Sequence, residues 1–125
     1  MNIIVNSSSR IPIYEQIMDS IKKAIVEGEL KPDDALPSVR ALAATLKISA
    51  LTVKKAYDQL ETDGLVTTIH GKGTYVMGLN PAMLKEEQLR EIENEMSSMF
   101  EKAKNYGITT DELREIFEMI TGGSL

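Results

Sequence analysis

Cysteine is absent from the 125 residues, and histidine occurs once, at His70. The first absence excludes a disulfide framework and a thiolate zinc site, and the second a multi-histidine metal cage. No apolar run approaches the roughly 18 residues that read as a membrane-spanning helix. The opening stretch, MNIIVNSSSR, is apolar over too few residues for a secretory signal and has no basic segment ahead of it. No GxxxxGK[ST] loop is present to cradle phosphates, nor a Ser/His/Asp arrangement or metal-ligand cluster. The glutamates between Glu86 and Glu101 are spaced as the wet face of a helix. The expectation is a chain with no catalytic residue, no cofactor and no metal, not an enzyme, in a reducing cytoplasm and without a membrane partner.

Positive charge is scarce as well: 14 Lys and Arg face 19 Asp and Glu, for a net charge of −5. The deficit is uneven. Up to Val76 nine basic residues balance nine acidic ones, whereas from Met77 onward five basic residues stand against ten acidic ones. Arg40, Lys47, Lys54, Lys55 and Lys72 lie in the balanced part. Local clustering, more than the sum over the chain, decides whether a surface can meet phosphates. With 42% hydrophobic and 26% charged residues, the composition is that of an ordinary globular chain. The length suits one compact unit or a domain with a small appendage.

What is present is a series of amphipathic helices with clear punctuation. Pro12 suits a first helical position, and Ile13, Ile17, Ile21, Ala24 and Ile25 form an apolar stripe. That helix is expected from Pro12 to about Glu27, with Gly28 as its left-handed cap. Glu29 to Leu36, with Pro32 and Asp33-Asp34, reads as a loop. A second helix is expected from about Ser38, with Val39, Leu42, Ala43 and Leu46 facing inward. Lys47-Ile48-Ser49 is the turn, and Ser49 caps a third helix that Gly64 ends. Val53, Ala56, Tyr57 and Leu60 share one face of the third helix, while Ala50, Leu51, Lys54, Lys55 and Asp58 lie elsewhere on its surface. Leu65–Ile69 and Thr74–Met77 flank His70-Gly71-Lys72-Gly73 and read as a β-hairpin that must pack on the helices to persist.

Asn80-Pro81 breaks the chain and marks the expected boundary between a domain at 1–78 and a region at 79–125. Beyond it Leu89, Ile92, Met96, Met99, Ala103 and Tyr106 repeat at intervals of 3, 4, 3, 4 and 3. That seam covers about two and a half heptads, short of a secure coiled coil. Gly107 ends this helix. Thr109 with Glu112 resembles a capping box for a last helix striped by Leu113, Ile116, Phe117 and Ile120. Gly122-Gly123-Ser124 is expected to fray.

The fold expected from these elements is mainly α with one small β-hairpin, a winged helix-turn-helix followed by two C-terminal helices. In such a fold one helix fits the major groove of DNA and the hairpin reaches the flanking backbone or minor groove. At this point the chain resembles the GntR family of bacterial transcription regulators. The matching segments are IPIYEQIMDSIKKAIVEGELKP, LPSVRALAATLKIS, TVKKAYDQLETDGLV and GKGTYV, in family order and spacing. The short C-terminal part looks like the branch with a reduced effector region, the YtrA type. The resemblance implies a homodimer that binds a palindromic double-stranded DNA operator and usually represses transcription. It carries DNA contacts onto Arg40 after Leu36-Pro37-Ser38, onto Ser49, Thr52 and Lys54 at the start of the recognition helix, and onto Gly71, Lys72, Gly73 and Thr74 in the wing. Three positions depart from the family. Ala50 stands where many members have arginine or asparagine, Asp33 where glycine is usual, and His70 where arginine is common.

Each candidate has a plainer reading beside it. Arg40 can fork two hydrogen bonds to a guanine edge or a phosphate, or pair with a nearby acid. Lys54 and Lys55, with Leu51 beside them, lie on the expected groove-facing helix, yet can be only a solvated face. Gly71-Lys72-Gly73 can let a phosphate approach, or simply make a tight turn. His70 is either a DNA contact or a plain exposed loop residue, and lacks partners for a metal. Tyr57 belongs to the core rather than to a base-stacking platform. The Leu89–Tyr106 seam, joined by Phe100 and the stripe of the last helix, needs cover, and a second copy of the chain supplies more of it than one short helix can. Met96 and Met99, adaptable fillers, also suit the wall of a pocket for an unknown small-molecule effector. The rival function is a winged-helix protein–protein interaction module that does not bind DNA.

Overall fold

A computed structural model describes residues 2–78 and 80–123. The elements in chain order are α1 (Ile13–Val26), α2 (Val39–Leu46), α3 (Ala50–Thr62), β1 (Val66–Ile69), β2 (Gly73–Val76), α4 (Pro81–Asn105) and α5 (Thr110–Thr121). Pro12 precedes α1, and Ile17, Ile21, Ala24 and Ile25 of its stripe are buried together with Met18. Ser38 and Ser49 cap α2 and α3, each accepting from a backbone N–H three residues on. Between these helices Lys47 turns the chain with φ 57°, a left-handed conformation that a non-glycine residue adopts at a cost. α1 and α2 both pack on α3, which also packs on β1. Ile17, Ile21, Val53, Leu60 and Val66 are shut off from solvent.

The hairpin is antiparallel, with Val66 opposite Val76 and Ile69 opposite Gly73. Segment 33–36, expected as free loop, lies against the outer edge of β2. Asp33 N–H donates to Val76 O (2.8 Å), Val76 N–H to Asp34 O (2.9 Å) and Leu36 N–H to Thr74 O (2.8 Å), and Ala35 bridges Tyr75. The edge of a two-stranded hairpin leaves backbone groups unpaired, and this segment satisfies them. Asp33 takes φ 69° to enter that pairing, which accounts for the glycine usual at this place in the family.

The chain divides into two units, Met1–Lys85 and Glu86–Leu125. In the first, Ile3, Leu30, Leu36 and Leu84 join the core that the helix stripes foreshadow, so the N-terminal segment and the first turn of α4 complete it. In the second, the expected capping box forms: Glu112 N–H donates to Thr109 Oγ1 (3.2 Å) and Thr109 N–H to Glu112 Oε1 (2.9 Å). The second of these, with a further bond from the Thr109 hydroxyl to Glu112 Oε1 (3.1 Å), holds the Glu112 carboxyl below its ordinary pKa. The long helix begins at Pro81, eight residues ahead of the seam at Leu89. The glycines expected to fray instead close α5, since Gly122 and Gly123 N–H both donate to Glu118 O. Ser124 lies outside the described residues.

Candidate nucleic-acid interface

The side chains proposed from sequence sit at the start of α2, on the first two turns of α3 and on the hairpin. Ser38 Oγ accepts from Ala41 N–H (3.1 Å) and so sets the start of α2. Arg40, two residues on, is exposed and makes no ion pair among the described residues. Its guanidinium is free to meet a phosphate or a base edge. Ser49 Oγ accepts from Thr52 N–H (3.2 Å) and shares a further hydrogen bond with Thr52 Oγ1 (2.9 Å). These two hydroxyls are joined to each other and stand at the exposed head of α3. Leu51, between them, is 78% exposed.

The adjacent lysines do not form one free cationic pair. Lys54 Nζ lies 2.7 Å from Asp58 Oδ2, one helical turn on, in an ion pair with both side chains largely in water. Such a pair is weak, so Lys54 can exchange it for a phosphate. Lys55 leans the other way, with Nζ 4.1 Å from the centroid of the Tyr14 ring on α1. A ring face attracts a cation and limits the rotamers of the four-carbon stem. No spacing pattern links positions so far apart in the chain, so sequence reasoning could not find Tyr14. Its phenol is held protonated above its ordinary pKa, first by desolvation and then by the Glu15 carboxylate.

Tyr57 is core, as expected: it is 3% exposed, and its hydroxyl donates to Pro37 O (2.7 Å), joining α3 to the segment before α2. Burial pushes its pKa up to about 12.

The wing is braced at its base and bare at its tip. Thr68 N–H donates to Glu61 Oε2 of α3 (2.7 Å), and Thr68 and Thr74 hydroxyls pair across the strands (3.1 Å). Lys72 N–H closes the turn onto Ile69 O (2.9 Å). Gly71 and Gly73 hold φ 78° and 132°, conformations that L side chains rarely adopt, so the glycines are required by the turn whether or not a phosphate approaches. His70, Gly71, Lys72 and Gly73 are exposed, and Thr74 is half-buried.

The residues assigned to self-association divide by exposure. Leu89, Ile92, Met96, Met99, Phe100, Tyr106, Ile116, Phe117 and Ile120 are exposed, Leu113 is half-buried, and Ala103 is 5% exposed, covered by its own chain. Met119, absent from the expected stripe, is 75% exposed. Met96, Met99, Phe100, Leu113, Ile116, Phe117 and Ile120, with Thr110 and Arg114, line a cavity of about 380 Å³ within the second unit. Among the described residues no group of His, Cys, Asp and Glu could hold a metal ion, and no helix is long and apolar enough to cross a membrane.

Comparison with known proteins agrees with this geometry. A family model for bacterial regulatory proteins of the gntR family matches residues 13–76. The transcriptional repressor YtrA of Bacillus subtilis is 34% identical over 94% of this chain and 90% of its own. Among solved structures, YtrA from Sulfolobus acidocaldarius, a GntR-family transcription factor, shares 38% identity, with a TM-score of 0.58 over 72% of this chain and 96% of that one. The DNA-binding domain of AraR in complex with an operator shares 26% identity, with a TM-score of 0.54 over 61% of this chain and 95% of that one.

Proposed function

The chain belongs to the GntR family and is a DNA-binding transcription regulator; from that premise we propose that it is a homodimeric repressor that binds a palindromic operator in the bacterial cytoplasm. The first turn of α3 enters the major groove, with Ser49, Leu51 and Thr52 toward the bases and Lys54 and Lys55 toward phosphates. Ser38 and Arg40 hold the backbone or a guanine beside it. The wing, through His70, Gly71, Lys72, Gly73 and Thr74, touches the flanking backbone or minor groove. Two half-sites then lie about 10 base pairs apart, or a multiple of that.

The observation that carries the dimer is that, among the described residues, ten large apolar side chains beyond Glu86 are exposed. A face of that kind marks an association surface. A second copy of this chain is the partner that a palindrome requires, with the subunits joined through α4 and α5. The apolar cavity in the same unit supports a small apolar effector as a further partner. The protein–protein module without DNA binding is set aside by the family assignment.

The reading is tested by measuring duplex affinity against salt. Replacing Lys54 by alanine weakens binding to all sequences, and that replacement, or Arg40→Ala where Arg40 holds the backbone, lowers the slope of log K against log salt by about one unit for each phosphate left without its cation. An unchanged slope in both variants overturns their assignment. Sedimentation of the full chain gives its subunit number, and a monomer at micromolar concentration overturns the dimer.

A further inference from the structure

The head of α3 is short of the groups that read bases by paired hydrogen bonds. Recognition of guanine by this route takes Arg or Lys, and of adenine Asn or Gln. The first turn is Ala50-Leu51-Thr52-Val53 and contains none of them; Val53 is buried. The hydroxyls of Ser49 and Thr52 are joined to each other at 2.9 Å, and Ser49 Oγ already serves a backbone N–H. Lys54, the first cation along the helix, is tied to Asp58 at 2.7 Å. What this turn presents unengaged is apolar. Leu51 is 78% exposed, more than any other large apolar side chain among the described residues of the first unit, and Ala50 is exposed beside it.

An isobutyl group held in water at this place has one complementary feature in the major groove, the 5-methyl of thymine. It is the apolar group on the base edges, and Ala, the Thr methyl and larger apolar side chains meet it by contact. We propose that Leu51 is a specificity-determining residue that selects thymine in each half-site by burying its 5-methyl group, with Ala50 leaving room for the approach. This rests on the reading of α3 as the helix that enters the groove. The hydroxyl pair of Ser49 and Thr52 keeps the turn rigid, and the lysines add affinity without choosing the base.

The test separates this proposal from DNA binding itself. Duplexes with a random core are enriched by the full chain at low salt, and the thymidines of the winning sequence are replaced singly by deoxyuridine, which deletes only the methyl. At one thymine in each half-site the replacement weakens binding about fourfold, the factor that burying a single methyl supplies, while other thymines are indifferent. Leu51→Ala removes the isobutyl group and binds the thymine and uracil duplexes equally. Its fold is checked by circular dichroism; Leu51 is exposed and alanine is the better helix former, so the helix persists. If uracil is tolerated at every thymine with affinity unchanged, or if Leu51→Ala still discriminates, the proposal falls and DNA binding stands. If no duplex is enriched at all, both fall.

Discussion

The two units of the chain solve the burial of apolar side chains in opposite ways. Of the nineteen buried apolar residues among those described, eighteen lie in Met1–Lys85, and only Ala103 lies beyond. The first unit closes a core around α3, with strands and helices covering one another. The second carries its large apolar side chains mostly on exposed faces of α4 and α5, and α5 buries nothing. The difference teaches that the first unit covers its apolar side chains with its own chain, whereas the second leaves an exposed apolar face of the kind on which the proposed dimer rests.

The largest test of that contrast is Leu60→Ala. Leu60 is fully buried in the first unit, so the truncation leaves a cavity and costs about 4 kcal/mol, read as a shift of the urea midpoint. The contrast breaks if Phe117→Ala, 49% exposed in the second unit, costs the dilute monomer as much. Next in size is Phe117→Asp, which places a charge in the proposed dimer contact and raises the dissociation constant about 100-fold, or about 3 kcal/mol, by sedimentation equilibrium. Dilution of the unaltered chain lowers the melting temperature of the second unit and leaves that of the first in place.

A smaller effect belongs to the first unit alone and appears only in alkali. Tyr57 has its pKa raised to about 12 in the fold by burial, above the value of about 10 for a free phenol. Its stabilising contribution is complete below pH 10. It declines as pH rises from 10 toward 12, by at most about 1.4 kcal/mol per pH unit, because the unfolded chain loses its proton first. Tyr57→Phe flattens that decline in a urea series across pH. The smallest expected change is Asp33→Gly. It relieves a left-handed residue at φ 69° and gains about 0.5 to 1 kcal/mol after the entropy that glycine adds to the unfolded chain.

Much of this molecule was legible in its residues, for reasons that differ from element to element. The stripes of α1, α2 and α3, the serine caps and the capping box are local patterns, set by helical geometry and by the backbone groups at helix ends. The hairpin was readable from β-branched runs around glycines. The cover of β2 by segment 33–36 was not, because that pairing depends on backbone hydrogen bonds across forty residues and a segment rich in Pro and Asp carries no strand signal. Leu84 in the core and the early start of α4 were hidden for a similar reason: Pro81 reads equally as a break and as a first helical residue. On the candidate interface, the candidate positions came with the family resemblance, but the partners their side chains make did not. The Lys54–Asp58 pair is an ordinary one-turn partner, whereas the Lys55–Tyr14 contact arises only when α1 lies on α3.

The strap along β2 has a consequence for how a duplex is gauged. Leu36 N–H grips Thr74 O at 2.8 Å, and Pro37 alone separates Leu36 from the serine that starts α2. The segment that leads into Arg40 is thereby tied by a backbone bond to the proposed wing. If Arg40 and the wing both touch DNA as proposed, this backbone tie makes binding depend on groove width, and base steps outside the contacts would then influence affinity through the ease with which they bend.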